Sequence, residues 1–328
     1  MNRIVEATDQ QQWNDTVQAC HGHPLQLWQW GELKADGGLW SVRRLLVFQD
    51  DQLKGGAQIL TRRLPWPLCE IAYAPRGPFV ARGGDQPMSV EELADVVAQW
   101  VRTHTKAISL KIDPALTELA LNQHWEASGS VMLAATAVID LEPDTETIRQ
   151  GLHSKKTRQY IRKAEREGVV CRPARAEDLD TILAIYHETA DNDQFGLHHD
   201  HYYRQAFALF GSNGQVFVAE VDGKVEAFLW NITSQGGTAF ELWGGVTSKG
   251  KQAHANYLLK WNAIVAAKEF GARLYDLNGL LNEGINRFKL GFVSEQTTWV
   301  GTFDRPLSLW YRPWTWALSL RKRLRGAA

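Results

Sequence analysis

The segment Arg287-Phe288-Lys289-Leu290-Gly291-Phe292 holds one ammonium group between two phenylalanines. It follows Leu274-Tyr275-Asp276-Leu277, which reads as a buried strand, and the turn pair Asn278-Gly279. A charge kept partly out of water acts on a neighbouring dipole far more strongly than a hydrated one. The loop just past a core strand is also where α/β proteins place reacting groups. The segment is therefore expected to be a loop with Lys289 as its reacting group; the alternative is a surface lysine laying its methylenes over apolar neighbours.

A second charged feature is a stripe. On a helix expected over about residues 152–167, Lys155, Arg158, Arg162 and Arg166 recur on one face, flanked by Lys156 and Lys163, with Tyr160, Ile161 and Ala164 on the other side. Such a face either tracks phosphates or is solvated. Gly245-Val246-Thr247-Ser248-Lys249-Gly250-Lys251 satisfies the GxxxxGK pattern, but Gln252 replaces the hydroxyl that would ligate Mg²⁺, and the preceding strands read as a meander rather than a βαβ unit. His198, His199 and His201 lack a fourth ligand at a suitable spacing, so they read as a polar loop and no metal is expected. There is no GxSxG elbow, HExxH helix or Cys–His signature, which argues against a covalent intermediate on the protein.

These groups need elements to position them. With 328 residues, 44% of them hydrophobic and 22% charged, the chain can build two cores. A net charge of −1 excludes a globally basic nucleic-acid binder, so any such contact rests on a local patch. Three scattered cysteines without CxxC spacing suit reduced thiols, and the start of the chain lacks an apolar leader; a cytoplasmic protein is expected. Strands over 41–48, 53–63 and 68–73, a helix over 91–105 and a strand over 107–112 are matched by strands over 216–221, 225–232 and 238–243, a helix over 255–270 and a strand over 273–277. The repeat predicts an internal duplication in an α/β (α+β) fold.

Several segments, in order, resemble the FemABX family, non-ribosomal peptidyltransferases that build peptidoglycan cross-bridges from aminoacyl-tRNA. They are Tyr73-Ala74-Pro75-Arg76-Gly77-Pro78, Lys111-Ile112-Asp113-Pro114, residues 158–168, residues 239–245, residues 255–261 and the Tyr275-Asp276 strand. The resemblance implies two tandem GNAT-like acyltransferase domains with mixed, largely antiparallel sheets: residues 1–143 completed by 300–328, and residues 144–299. It implies transfer from an aminoacyl-tRNA to the side-chain amine of a muramyl pentapeptide precursor, lipid-linked or nucleotide-linked, with no cofactor. Lys289 would face the tetrahedral oxyanion, Phe288 would fix its direction, and Asp113 would orient or deprotonate the amine. The stripe at Lys155, Arg158, Arg162 and Arg166 would meet the tRNA acceptor stem. Lys34, in Gln26-Leu27-Trp28-Gln29-Trp30-Gly31-Glu32-Leu33-Lys34, would hold precursor phosphates, and Tyr202 would bind substrate. Two positions depart from the family pattern: His198 stands where many members carry arginine, and Trp243 where a tyrosine is usual.

Alternatives from other classes are a CoA-dependent N-acyltransferase, which crowding by Gln252 and His254 disfavours, and an inactive homologue that only binds precursor. At the C-terminus, Pro313 opens a helix carrying Trp314, Trp316, Ala317, Leu318 and Leu324, with Trp310 before it and Arg321, Lys322, Arg323 and Arg325 at its end. Indoles beside a basic cluster suit the inner face of an anionic membrane; docking on the first domain is the alternative.

Overall fold

A computed structural model describes residues 2–66, 68–83 and 87–326, with side chains as far as Leu320. The chain opens with β1 (Asn2–Glu6), α1 (Gln10–Ala19), α2 (Trp28–Asp36), β2 (Ser41–Gln49), β3 (Gln52–Arg63), β4 (Glu70–Ala74), β5 (Phe79–Val80), α3 (Val90–His104), β6 (Ala107–Ile112) and β7 (Glu126–Ser128). It continues with β8 (Ala135–Thr136), β9 (Val138–Asp140), α4 (Thr145–Gly151), α5 (Lys155–Arg166), β10 (Val170–Pro173), α6 (Leu179–Asp193) and α7 (Asp200–Phe210). Then come β11 (Gly214–Val221), β12 (Lys224–Thr233), β13 (Thr238–Val246), α8 (Ser248–Gln252), α9 (Ala255–Glu269), β14 (Leu274–Asp276), α10 (Glu283–Leu290) and β15 (Thr297–Thr298). Strand β16 (Thr302–Pro306) and helix α11 (Tyr311–Gly326) close the chain.

Two compact units result: one runs up to Ala134 and is completed by the chain from Trp299 onward, and the other is Ala135–Thr298. The first sheet has the order β1-β2-β3-β4-β6-β16-β7, with β5 beside β3; the second has the order β10-β11-β12-β13-β14-β9. In each, three antiparallel strands are followed by a helix and a strand that pairs in parallel, β4 with β6 and β13 with β14. The duplicated order expected from the sequence is thus present in the pairing. Both meanders open with a tight hairpin whose central residues have positive φ: Asp50 and Asp51 (52° and 59°), and Asp222 and Gly223 (51° and 73°). That conformation matches the right-handed twist of the flanking strands, and aspartate tolerates it better than most side chains.

The sequence boundary at Pro143 lies too late. Val138–Asp140 pairs antiparallel with β14 at the edge of the second sheet, so the division falls after Ala134. Proline marks the loop after a strand, not the sheet to which that strand belongs. Each unit has its own core. In the first, Leu93, Val97 and Val101 of α3 cover Leu45, Ile59 and Leu110 of the sheet. In the second, Leu258 and Ile264 of α9 and Ile161 of α5 pack around Tyr275. Helix α3 starts in a capping box, Ser89 with Glu92, which satisfies two end groups and contributes about 1 kcal/mol.

Candidate active site

The segment bearing Lys289 is a helix, not the expected loop. Asn282 accepts the Ile285 amide at 2.9 Å, Glu283 stands in the first turn, and its carboxylate meets Arg287 at 2.7 Å. A side-chain cap with an acid near the helix start and an i,i+4 pair suffices to order two turns that Gly284 alone would weaken. Lys289 Nζ donates to the carbonyls of Asn278 (3.0 Å) and Gly279 (2.9 Å). That turn is itself held. Asn278 sits at φ +59°, its amide donates to Asp276 Oδ1 at 2.8 Å, and its side chain donates to the Glu241 carbonyl at 2.9 Å. Thr136 donates to the same Asp276 oxygen at 2.5 Å.

The carbonyls, rather than Phe288, aim the ammonium. The Phe288 ring packs edge-on against Tyr257 and Phe292, with centroids 4.8 and 5.5 Å away, and lies 5.1 Å from Lys260 Nζ. Burial pushes the Lys289 ammonium down to about 8, partly offset by Glu241 and Asp276. An ammonium has three protons and two are engaged, so one donor direction remains for an incoming oxygen. This is the chemistry of a partly desolvated cation that meets developing negative charge.

The pair beneath this site was not among the residues expected to carry chemistry. Lys260 of α9 and Glu241 of β13 are both buried, and Nζ donates to both carboxylate oxygens at 2.6 Å. A lysine inside the apolar run Leu258-Leu259-Lys260-Trp261 and an acid after Phe240 were the available signal, since buried charges require partners.

His198, Tyr202 and Trp243 do come together. The His198 and Tyr202 rings are 4.1 Å apart, Tyr202 and Trp243 are 6.0 Å apart, and Trp243 stands edge-on to Tyr203 and Trp230, each at 5.0 Å. Burial holds the Tyr202 hydroxyl well above its usual range, so it acts as a neutral hydrogen-bonding group.

The basic stripe is divided in the structure. Lys155, Arg162 and Arg166 on α5 are exposed. Arg158 is half-buried and turns back to donate to the carbonyls of Leu152 and of Gln150 at the end of α4, the latter at 3.4 Å. It caps orphan carbonyls and is not available as a fully solvated charge. A cavity of ≈ 220 Å³ lies there, lined by Glu146, Arg149, Gln150, Arg158 and Arg162. Helix α5 also touches the Lys289 segment. The Ser154 amide donates to the Gly291 carbonyl at 3.0 Å, and a Cβ on Gly291 would lie 2.6 Å from Thr157 Oγ1.

In the first unit, the Lys34 ammonium on α2 lies 4.5 Å from the Trp30 ring centroid, and burial lowers its pKa to about 8. Asp113 is 1% exposed. Its Oδ2 accepts from the Tyr73 hydroxyl and its Oδ1 from the Arg76 amide, both at 2.8 Å, and the Arg76 guanidinium meets its carbonyl at 3.3 Å. Burial raises its pKa while Arg76 opposes the rise. With both oxygens engaged and almost no exposure, Asp113 orders the Tyr73–Arg76 turn, a different task from deprotonating a bound amine.

The FemAB family model matches residues 121–239, which run from just before β7 in the first unit to the start of β13 in the second. The crystal structure of FemX superposes with a TM-score of 0.80 over 93% of this chain and 97% of that one, at 17% identity. Over residues 121–239, about a third of its length, the chain is similar to the FemAB family. A tandem GNAT protein from the clavulanic acid biosynthesis pathway shares the fold at a TM-score of 0.50 and 12% identity, covering 94% and 99% of the two chains. Among curated relatives, the Lipid II:glycine glycyltransferase of Staphylococcus saprophyticus is 25% identical over 221 residues, 62% of this chain and 52% of its own length. Its counterpart from Staphylococcus aureus is 23% identical over 222 residues, with the same coverage. The chain thus spans about half the length of the curated relatives it matches.

The GxxxxGK segment is packed rather than open. Gly245 lies in β13, where a Cβ would come within 2.7 Å of the Phe228 ring and 2.8 Å of Thr189 Oγ1. The Gly250 amide donates to Thr247 Oγ1 at 3.1 Å, and the Tyr160 ring stacks on His254 at 4.1 Å at the start of α9. An amide already engaged and a helix start already covered leave little of the backbone cradle that a pyrophosphate requires. Among the described residues, no helix is long and apolar enough to cross a membrane.

Proposed function

We propose that the chain transfers an aminoacyl group from aminoacyl-tRNA to the side-chain amine of a peptidoglycan precursor stem peptide, at the cytoplasmic face of the membrane. The observation that carries this reading is the Lys289 ammonium, held by two carbonyls with its third proton unspent. The names of the glycyltransferase relatives support the acceptor class, and the exposed cations of α5 support an RNA-borne donor read by charge and shape.

The amine nitrogen attacks the ester carbonyl carbon, a C–N bond forms, and the carbonyl pair moves onto oxygen. Lys289 donates to that oxyanion. Collapse breaks the carbon–oxygen bond to the ribose, which takes up a proton while the amine loses one. The ester is already activated, so the protein's contribution is orientation and charge stabilisation. In this assignment Tyr202, Trp243 and His198 form the wall against which substrate packs, Lys34 meets precursor phosphate, and Phe288 shields the Glu241–Lys260 pair from water. Asp113 positions the turn at Arg76.

The test is incubation of the purified chain with charged tRNA pools and either lipid-linked or nucleotide-linked precursor, with the stem peptide read by mass spectrometry. One added aminoacyl mass is expected, and Lys289→Met should lower kcat about 10²–10³-fold. Acyl transfer from CoA thioesters with none from charged tRNA would overturn the reading.

A further inference from the structure

From Trp316 to Leu320, α11 is uncovered on every described side. Tyr311 is buried and its hydroxyl donates to Asp304 at 3.1 Å, while Arg312 pairs with Glu126 at 2.5 Å; these contacts pin the start of the helix. From Trp316 to Leu320 every residue is exposed, Trp316 at 69%, and Leu309 just ahead of the helix is 95% exposed. A 16-residue helix is marginal in water without a surface to pack on, and water is a poor partner for indole and leucine. The charge around these apolar groups has one sign. After Asp304 the chain contains no acid and six basic residues: Arg305, Arg312, Arg321, Lys322, Arg323 and Arg325.

At the foot of this helix lies a cavity of ≈ 530 Å³ whose lining includes Arg102, Arg305 and Arg312 together with His124 and Glu126. These residues come from three places in the first unit: the last turn of α3, the start of β7 with the chain just before it, and the end of β16 with the first turn of α11. Arg102 is exposed and forms no ion pair among the described residues. Arg305 approaches Asp95 only to 3.9 Å, and Arg312 is tied to Glu126. Three guanidiniums around one cavity, opposed by a single lining carboxylate, suit a phosphate group.

We propose that this cavity seats the phosphate of an anionic phospholipid headgroup, and that α11 lies beside it in the bilayer interface with Trp316 and Leu320, one turn apart on the same face, in the acyl boundary. An RNA partner would use the arginines but would leave these side chains in water, whereas an anionic bilayer takes both. The inference deepens the preceding reading by naming the surface that meets the membrane holding a lipid-linked acceptor. Its test is separate from turnover.

The experiment is co-sedimentation of the full chain with phosphatidylglycerol vesicles and with phosphatidylcholine vesicles at low and high salt. Binding to the anionic vesicles that weakens with salt is expected, and loss of it on truncation after Arg312. Arg102→Gln should lower partitioning about fivefold, the usual weight of one basic residue near such a surface. Glu126→Gln should raise it, because it removes the carboxylate that competes for Arg312. Residual binding at high salt should drop in Trp316→Ala. Free inorganic phosphate at matched ionic strength should compete if the cavity holds a phosphate. The proposal is overturned if the full chain stays in the supernatant at low salt, if the truncated chain binds equally well, if Glu126→Gln weakens binding, or if tRNA rather than vesicles is the ligand lost on truncation.

Discussion

Lys289 has to remain charged to face an oxyanion, yet burial brings its pKa to about 8. By ordinary titration roughly nine-tenths of it is protonated at pH 7 and roughly one-tenth at pH 9. The attacking amine titrates the other way, since only its neutral form has a lone pair to offer. Single-turnover rates are therefore expected to rise with pH up to about 8 and then level off, because above that point the loss of protonated Lys289 cancels the gain in neutral amine until the amine's own pKa of about 10.4. In Lys289→Met the plateau should give way to a residual rate that keeps rising towards about pH 10; a wild-type rate that climbs unbroken to pH 10 would remove Lys289 from the oxyanion. How readable the site was depended on distance along the chain. Lys289 stands between two phenylalanines, a local pattern, whereas Glu241 and Lys260 are 19 residues apart and meet only because α9 crosses the sheet. Asp113 was visible as a strand-ending acid, but its two donors belong to a turn some 40 residues earlier.

Among the elements, α5 divides its labour. Arg158 serves the end of α4, while Lys155, Arg162 and Arg166 face solvent. Reversing Arg162 and Arg166 to glutamate should weaken tRNA binding across isoacceptors and make the logarithmic salt dependence shallower by roughly one to two, with the unfolding midpoint little changed. Arg158→Glu should do the opposite, lowering the thermal midpoint because two helix-end carbonyls lose their donor. Filter binding over a salt series, paired with thermal unfolding, distinguishes the two; equal tRNA affinity in the double variant would make α5 a solvated face. Helical spacing made the stripe legible. It could not reveal that α5 begins at Lys155 after a break, because the break depends on Arg158 reaching back over α4. Helix α10 was missed for a similar reason: Asn282, Glu283 and Gly284 read as turn residues, and only the cap contact to Ile285 shows that they start a helix.

At the level of the whole molecule, the repeated order of strands and helices was written in the hydrophobic pattern, but the place of the last strand was not. Strand β16 lies between β6 and β7, joined to Ile112 through Phe303 and to Ser128 through Thr302. Truncation after Val300 should therefore lower the melting temperature by about 10 °C or more through loss of two ladders. Truncation after Arg312 should leave it within about 2 °C. Equal midpoints for the two truncations would mean that β16 adds nothing to the first sheet. The same interleaving sets an order in time during synthesis. Ile112 leaves the ribosome about 190 residues before Thr302, roughly 10–40 s at ordinary elongation rates. Throughout that interval the first sheet has an open edge at β6, while the second unit, encoded later, has every one of its strands by the time the interval ends. The unit translated first is the last able to finish, and its waiting edge is where a nascent-chain holdase would be most needed.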